Sequence, residues 1–260
     1  MKRITEKLLV TIPHSSEHLP PEININSVNK NAIDDIIFEC DEGSNILYDF
    51  RNELHNKQIM FPYHRAFIDV NQHPKDINNS IPIKSFFNKN LYNIAPTLKD
   101  RKDLLIKYHK SFHNQVKEEM QDCLLLFDGH STLEGDLDDF GDRFDADIVI
   151  SNYQIDLENK EYIYTCDDEL LDTYEYFLRL YLPMSISIKK NTKYITNTYG
   201  YIEGKYGSIA KTSKTLPVLL QETNEDLYIS NKEKNIDKLK SFNRVFASAL
   251  KDTMEIYFGI

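Results

Sequence analysis

The run Cys123 to Phe127 (CLLLF), followed at once by Asp128-Gly129-His130-Ser131, says most about the architecture. An unbroken apolar run closed by polar residues reads as a strand covered on both faces, because a strand with one wet face would alternate. The abrupt change at Asp128 predicts that the strand ends there, with a carboxylate and an imidazole at its carboxyl end. Working outward, three more runs have the same form. Leu8 to Ile12 (LLVTI) is closed by Pro13 and His14. Ala66 to Val70 (AFIDV) contains Asp69 and leads into Asn71. Pro217 to Gln221 (PVLLQ) leads into Glu222. Ile148 to Ile150 reads as a further short strand, and Met184 to Ile188 as an edge strand. Helical spacing of apolar residues separates these runs. It is clearest over Leu98 to Gln121, and it recurs over Leu170 to Leu182 and Ile236 to Phe258. Ala32 to Leu54 reads as one or two helices with an irregular join near Gly43. Strands alternating with helices predict an α/β sheet with helices on both faces. No Pro/Gly/Ser-rich linker divides the chain, so residues 1–260 read as one domain.

Composition narrows the function. The chain has 260 residues and a formal net charge of -10. A sequence pI near 5.3 argues against a nucleic-acid partner, which needs a basic face. No apolar run reaches the roughly eighteen residues of a membrane span. The start, MKRITEKLLVTIPH, lacks the apolar core and small-residue cleavage site of a signal peptide. Cys40, Cys123 and Cys166 are far apart and odd in number, so a disulfide framework is not expected and a reducing cytoplasm is the natural compartment.

In open α/β sheets, ligands sit just outside the carboxyl ends of the strands. His14, Asp69 with Asn71, Asp128 with His130, and Glu222 are therefore expected to meet along one sheet edge. Arg65 and Arg143, each next to a strand, are the best local cations. A guanidinium there can hold a substrate carboxylate or stabilise an oxyanion. His109 and His113, four apart on one predicted helix, lack the His-Glu-x-x-His arrangement of helical zinc sites and read as packing or supporting groups. The acidic run Glu134 to Asp147 lacks calcium-loop spacing and reads as a solvated loop.

Several ordered segments together resemble the N-formylglutamate amidohydrolases. They are IPHSSEHLP (Ile12 to Pro20), CDEGSNILYDF (Cys40 to Phe50), YHRAFIDVN (Tyr63 to Asn71), YHKSFH (Tyr108 to His113), FDGHS (Phe127 to Ser131), GYIEGKYG (Gly200 to Gly207) and QETNEDLY (Gln221 to Tyr228). The resemblance implies a three-layer α/β/α sandwich with a central mixed sheet, similar to the zinc carboxypeptidases. It also implies metal-dependent cleavage of a formyl amide, giving formate and glutamate. His14 and His130 match the implied ligands of a Zn2+ ion. Asp41 matches an acidic position that would complete the set. Glu17 is its rival, because His14-Ser15-Ser16-Glu17 has the His-x-x-Glu spacing of the carboxypeptidases. Glu222 matches the implied general base, and Asn71 a polar position of the family's motif. Asp128, two residues before His130, is placed to bond the distal nitrogen of a ligand imidazole.

Two departures bear on the substrate. The family's Asp-x-Asn-Arg reads Asp69-Val70-Asn71-Gln72 here, and Gly204 stands where an arginine is usual, with Lys205 beside it. The metal set is kept while the expected carboxylate holders are altered, leaving Arg65, Arg143 and Lys205 as candidates. The substrate expected is a small N-acyl amino acid. The alternatives are a member acting on a different N-acyl amino acid or small peptide, and a non-catalytic ligand-binding protein on the same fold.

Overall fold

The computed structural model describes residues 3–133, 143–156, 161–192, 200–209 and 211–259. The strands are β1 (Leu8–Ile12), β2 (Lys57–Met60), β3 (Leu125–Thr132), β4 (Ile148–Ser151), β5 (Tyr153–Asp156), β6 (Glu161–Tyr164), β7 (Ile188–Lys190) and β8 (Val218–Asn224). Among the described residues the central sheet has six strands in the order β2-β1-β3-β8-β4-β7, while β5 and β6 pair only with each other. β1, β2, β3 and β8 run parallel. β4 is antiparallel to β8 and parallel to β7, so the sheet is mixed.

Alternation along the strands builds two cores. Leu8, Val10, Ile12, Leu125, Phe127 and Leu219 point to one face. There they meet Tyr48, Phe50 and two helices, α7 (Asp168–Tyr181) and α9 (Ile236–Phe258). Leu9, Leu126 and Val218 point to the other face, against Phe112, Val116, Ile202 and Tyr206. Phe112 and Val116 belong to α6 (Lys110–Glu119), and Ile202 and Tyr206 to α8 (Tyr201–Tyr206). Helices on both sides of a central sheet make the expected α/β/α layers.

Two expectations about strands are corrected. Ala66 to Val70 is not a strand, and the neighbour of β1 is β2 instead. The amides of Phe67 and Ile68 both donate to the His64 carbonyl, and that of Asp69 to Ser80. The segment is a turn whose apolar side chains are nonetheless buried. An apolar run reports burial, and only ladder bonds distinguish a strand from a packed turn. β2 was hidden by its edge position, with Lys57 and Gln58 half-buried and Met60 exposed. Secondly, β3 and β8 do not stop at their apolar runs. They stay paired from Leu126↔Val218 through His130↔Glu222 to Thr132↔Asn224. The polar residues expected just past the strand ends lie on the strands themselves, which fixes their facing.

After the short helices α3 (Arg51–Leu54) and α4 (Ile77–Ser80), the helix expected over Leu98 to Gln121 consists of α5 (Leu98–Leu104), a wide π-type turn (Leu105–His109) and α6, followed by a short 3-10 turn. His109 and His113 from this helix bond the carbonyls of Gln72 and Val70, each at 2.8 Å. They hold the segment that carries Asp69 and Asn71, in the supporting role expected of them.

Candidate metal centre

Pro13 ends β1 and leaves His14 buried at the carboxyl edge of the sheet. Its Nε2 lies 2.9 Å from Asp69 Oδ1, while Nδ1 is buried with no hydrogen-bond partner. His130, on β3, is arranged in the same way. Its Nε2 faces Asp128 Oδ2 at 3.2 Å and its Nδ1 faces Asp41 Oδ2 at 3.1 Å. With Asp69 and Asp128 placed to accept from the two Nε2 atoms, the Nδ1 atom of each ring faces the Asp41 carboxylate.

Asp41 comes from the turn between α1 (Ile33–Phe38) and α2 (Ser44–Leu47). Gly43 makes this turn possible, at φ +86° and packed against Tyr228 and Leu239. The Asp41 amide donates to the His14 carbonyl, and its Oδ2 accepts from the Ser131 amide at 3.3 Å. Ser131 Oγ in turn donates to the buried Glu225, which also accepts from the Glu42 amide. One potential ligand atom from each of His14, Asp41 and His130 lies within 4.8 Å of the others.

Burial alone would raise the Asp41 carboxyl, but His14 and His130 hold it far below the usual carboxylate range. Burial works the same way on Asp69, and Arg65 and His14 overcome it. His130 goes the other way: burial opposes its charge, yet Asp128 and Asp41 raise it well above an ordinary imidazole. The cluster thus calls for positive charge at its centre. Two inward imidazole nitrogens and one carboxylate oxygen form a donor set that suits zinc, and the unpartnered Nδ1 of His14 fits an ion there.

The structure brings together His14, Asp41 and His130, the residues expected as ligands. Arg65 joins them, 2.9 Å from Asp69 and 3.6 Å from Asp41. Glu222 sits beside His130 in the β3–β8 register, and partners in that ladder project to the same face. The rival ligand Glu17 is absent from the cluster: it is exposed and paired with Lys234. Asn71 points its amide at His130 Nε2 from 3.4 Å, but its Oδ1 is taken by the Ile202 amide, so it also braces the start of α8. Arg143 is exposed, ahead of β4. Lys205 is not brought into the cluster. It lies over the rings of Tyr201 and Tyr206, and residues two apart on a helix do not share a face, so Glu203 and not Lys205 looks toward His130. Of the acidic run, residues 134–142 lie outside the described residues. Asp145 pairs with Lys189, and Asp147 accepts from Ser187.

Two further carboxyls lie near the site, Glu225 and Glu203, which the sequence offers only as fallbacks to Glu222 for the general base. Glu225 is pushed up to about 8, chiefly by burial. Glu203, on the one-and-a-half-turn α8, is fully buried. Apolar spacing cannot be read over so short a helix. The available signal was Gly200, in a chain with only 8 glycines: a Cβ there would stand 2.1 Å from Glu203 Oε2.

The N-formylglutamate amidohydrolase family model matches residues 6–229. Among solved structures, the chain is similar to an N-formylglutamate amidohydrolase from Ralstonia eutropha JMP134, with a TM-score of 0.75 and 17% identity, covering 98% of this chain and 95% of that one. It is also similar to a gene product from Agrobacterium tumefaciens, with a TM-score of 0.60 and 15% identity, covering 98% and 91% of the two chains. At such identities these likenesses speak for the fold. No curated protein matches the sequence.

Proposed function

The chain belongs to the N-formylglutamate amidohydrolase family, and from that premise we propose that it is a zinc-dependent hydrolase cleaving the amide C–N bond of an N-formyl or N-acyl amino acid. The observation that carries the reading is the pair of inward Nδ1 atoms of His14 and His130 around Asp41, each imidazole backed by its own carboxylate. When bound, zinc supplies Lewis-acid polarisation of the scissile carbonyl and acidifies the attacking water.

The chain's own residues do the rest. Glu222, half-buried beside His130, accepts the proton of the attacking water and hands it to the leaving nitrogen. Arg65 supplies fixed positive charge for the developing oxyanion, its guanidinium oriented by Asp69 and Asp41. Asn71 lines the site and holds α8 against it. Substrate-carboxylate recognition is assigned to Arg143, an exposed cation ahead of β4. Lys205 contributes only its charge, since its ammonium rests on two tyrosine rings. With Gln72 in the place of a family arginine, the preferred substrate carries less negative charge than N-formylglutamate.

The test combines metal analysis with hydrolysis of a panel of N-formyl and N-acetyl amino acids. His14→Ala should lower bound zinc by one ion per chain and abolish turnover. Undiminished zinc in that variant would remove His14 from the ligand set.

A further inference from the structure

Arg65 marks the open side of the metal centre. His14, Asp41, Asp69 and His130 are buried, whereas the Arg65 side chain is 31% exposed. Glu39 flanks this opening. It stands two residues before Asp41, a span of at most about 7 Å, and within electrostatic reach of both Arg65 and Asp69. Its Oε1 accepts from the Phe86 amide at 2.7 Å. One glutamate side chain and one hydrogen bond therefore tie the chain beside Asp41 to the hairpin that carries Phe86.

That hairpin is tight and anchored. Lys84 and Asn90 bridge antiparallel, the Ser85 amide donates to the Lys89 carbonyl, and Asn88 turns the chain at φ +65°. Asp35, on α1, accepts from Ser85 Oγ and pairs with Lys89. At the tip the Phe86 and Phe87 rings meet edge-to-face, with centroids 5.7 Å apart. They are nonetheless 59% and 50% exposed. The fold gains little from two phenyl rings left so open on an anchored tip. They offer instead an apolar surface beside the opening.

The groups around the opening decide what that surface receives. N-formylglutamate brings a side-chain carboxylate, and the Glu39 carboxyl cannot hold it. Gln72 and Gly204 stand where arginines are usual in the family. An aromatic or large apolar side chain needs no cation, and it gains by leaving water against the two rings. We propose that Phe86 and Phe87 receive the substrate's side chain, and that the amino acid released is aromatic or large and apolar. The proposal rests on the hydrolase reading above.

The experiment measures kcat/KM of the full-length protein, reloaded with Zn2+, on N-formylphenylalanine, N-formylalanine and N-formylglutamate. A preference for the phenylalanine compound over the alanine compound of about tenfold is expected, roughly half the worth of burying a whole phenyl ring. In Phe86→Ala and in the double variant with Phe87→Ala, that ratio should fall toward one, mainly through a raised KM for N-formylphenylalanine. A ratio within one preparation cancels any loss of folded or metal-loaded protein, so a poorly folding variant still answers the question. A ratio near one in the unmodified protein overturns the proposal. So does a preference that survives the double variant, or one that favours N-formylglutamate over N-formylphenylalanine. In each of those cases hydrolysis itself persists and the hydrolase reading stands. Hydrolysis of none of the three compounds would overturn both.

Discussion

Asp69 touches no substrate in the proposed reaction, yet replacing it should weaken the metal centre measurably. Its carboxylate accepts from His14 Nε2, from the Asn71 amide and from Arg65, each at 2.9 Å. Asp69→Asn keeps the shape but removes the charge. His14 then faces a neutral amide in place of a carboxylate, which orients the ring less firmly and makes Nδ1 a weaker donor. Arg65 loses its nearer anion and is left with Asp41, now 3.6 Å away, so a guanidinium will compete with the ion for a ligand oxygen. Loss of a ligand's outer partner typically lowers metal affinity by about 10–100-fold, or about 1.4–2.7 kcal/mol. The competition from Arg65 adds in the same direction, so the upper half of that range is expected. A chromophoric chelator titrated against the reloaded protein reads the affinity directly. At saturating zinc most of the turnover should return, because the ion and Glu222 are back in place. Affinity within twofold of the unmodified protein would refute the orienting role. Affinity lowered but turnover not restored at saturation would mean that Asp69 acts in the chemistry itself.

Glu222→Gln should keep its metal while turnover falls by roughly 10²–10⁴-fold, the usual worth of a positioned acid-base group; loss of metal instead would make Glu222 a ligand. Gln72→Arg should raise kcat/KM on N-formylglutamate by about 10–100-fold, since a hydrogen bond to a charged group is worth about 1.5–3 kcal/mol. No gain would mean that other cations already hold the side-chain carboxylate. Two buried histidines should each withdraw their contribution to stability in acid. Burial lowers His64 to about 4 and His113 to about 2, with Arg65 adding to the first effect and His109 and Lys205 to the second. Unfolded imidazoles take up protons near pH 6.5 while these buried ones do not. Their contribution is therefore complete above about pH 6.5 and declines as pH falls, by up to about 1.4 kcal/mol per pH unit for each histidine. Glu39 and Glu225, raised by burial to about 7 and about 8, act in the opposite direction over the same range. The measure is therefore the stability of the unmodified protein relative to His64→Gln in urea at pH 7, 6 and 5. That difference should fall as pH falls, and a constant difference would contradict it.

The proposed ligand set was legible as a cluster because each member sits at a break in local pattern. His14 follows a proline that ends an apolar run, and His130 lies just past another. Asp41 stands beside Gly43, whose positive φ makes the turn. The long helix α9 was legible because its apolar stripe persists for 23 residues. Ala66 to Val70 misled because buried turns and buried strands present the same apolar run, and only the backbone partners of Phe67, Ile68 and Asp69 tell them apart. Choosing between Asp41 and Glu17 needed three dimensions. Both have the right chemistry, but Glu17 lies out at the surface against Lys234, part of a small hairpin of Ile229–Ser230 with Glu233–Lys234. Glu203 was legible only as a fallback base, because which way one short helix faces cannot be read from the sequence.

The same distinction separates the robust part of the site from its variable part. His130 and Glu222 are locked in one ladder, where a slip of one residue would turn both side chains to the opposite face. Such a slip would also bury the wrong residues of β3 and β8, so the core on one side protects the chemistry on the other. The positions where the chain departs from the family pattern have no such protection. Gln72 follows a turn held by the carbonyl bonds of His109 and His113, and Gly204 lies on α8, which the Asn71 side chain pins at its start. Neither departure disturbs a strand register, so a change of side chain there costs the fold little. Substrate preference can therefore move while the donor set of His14, Asp41 and His130 stays fixed. This is why the Gln72→Arg and Asp69→Asn variants should separate cleanly: the first should change which amide is cleaved without changing metal affinity, and the second should do the reverse.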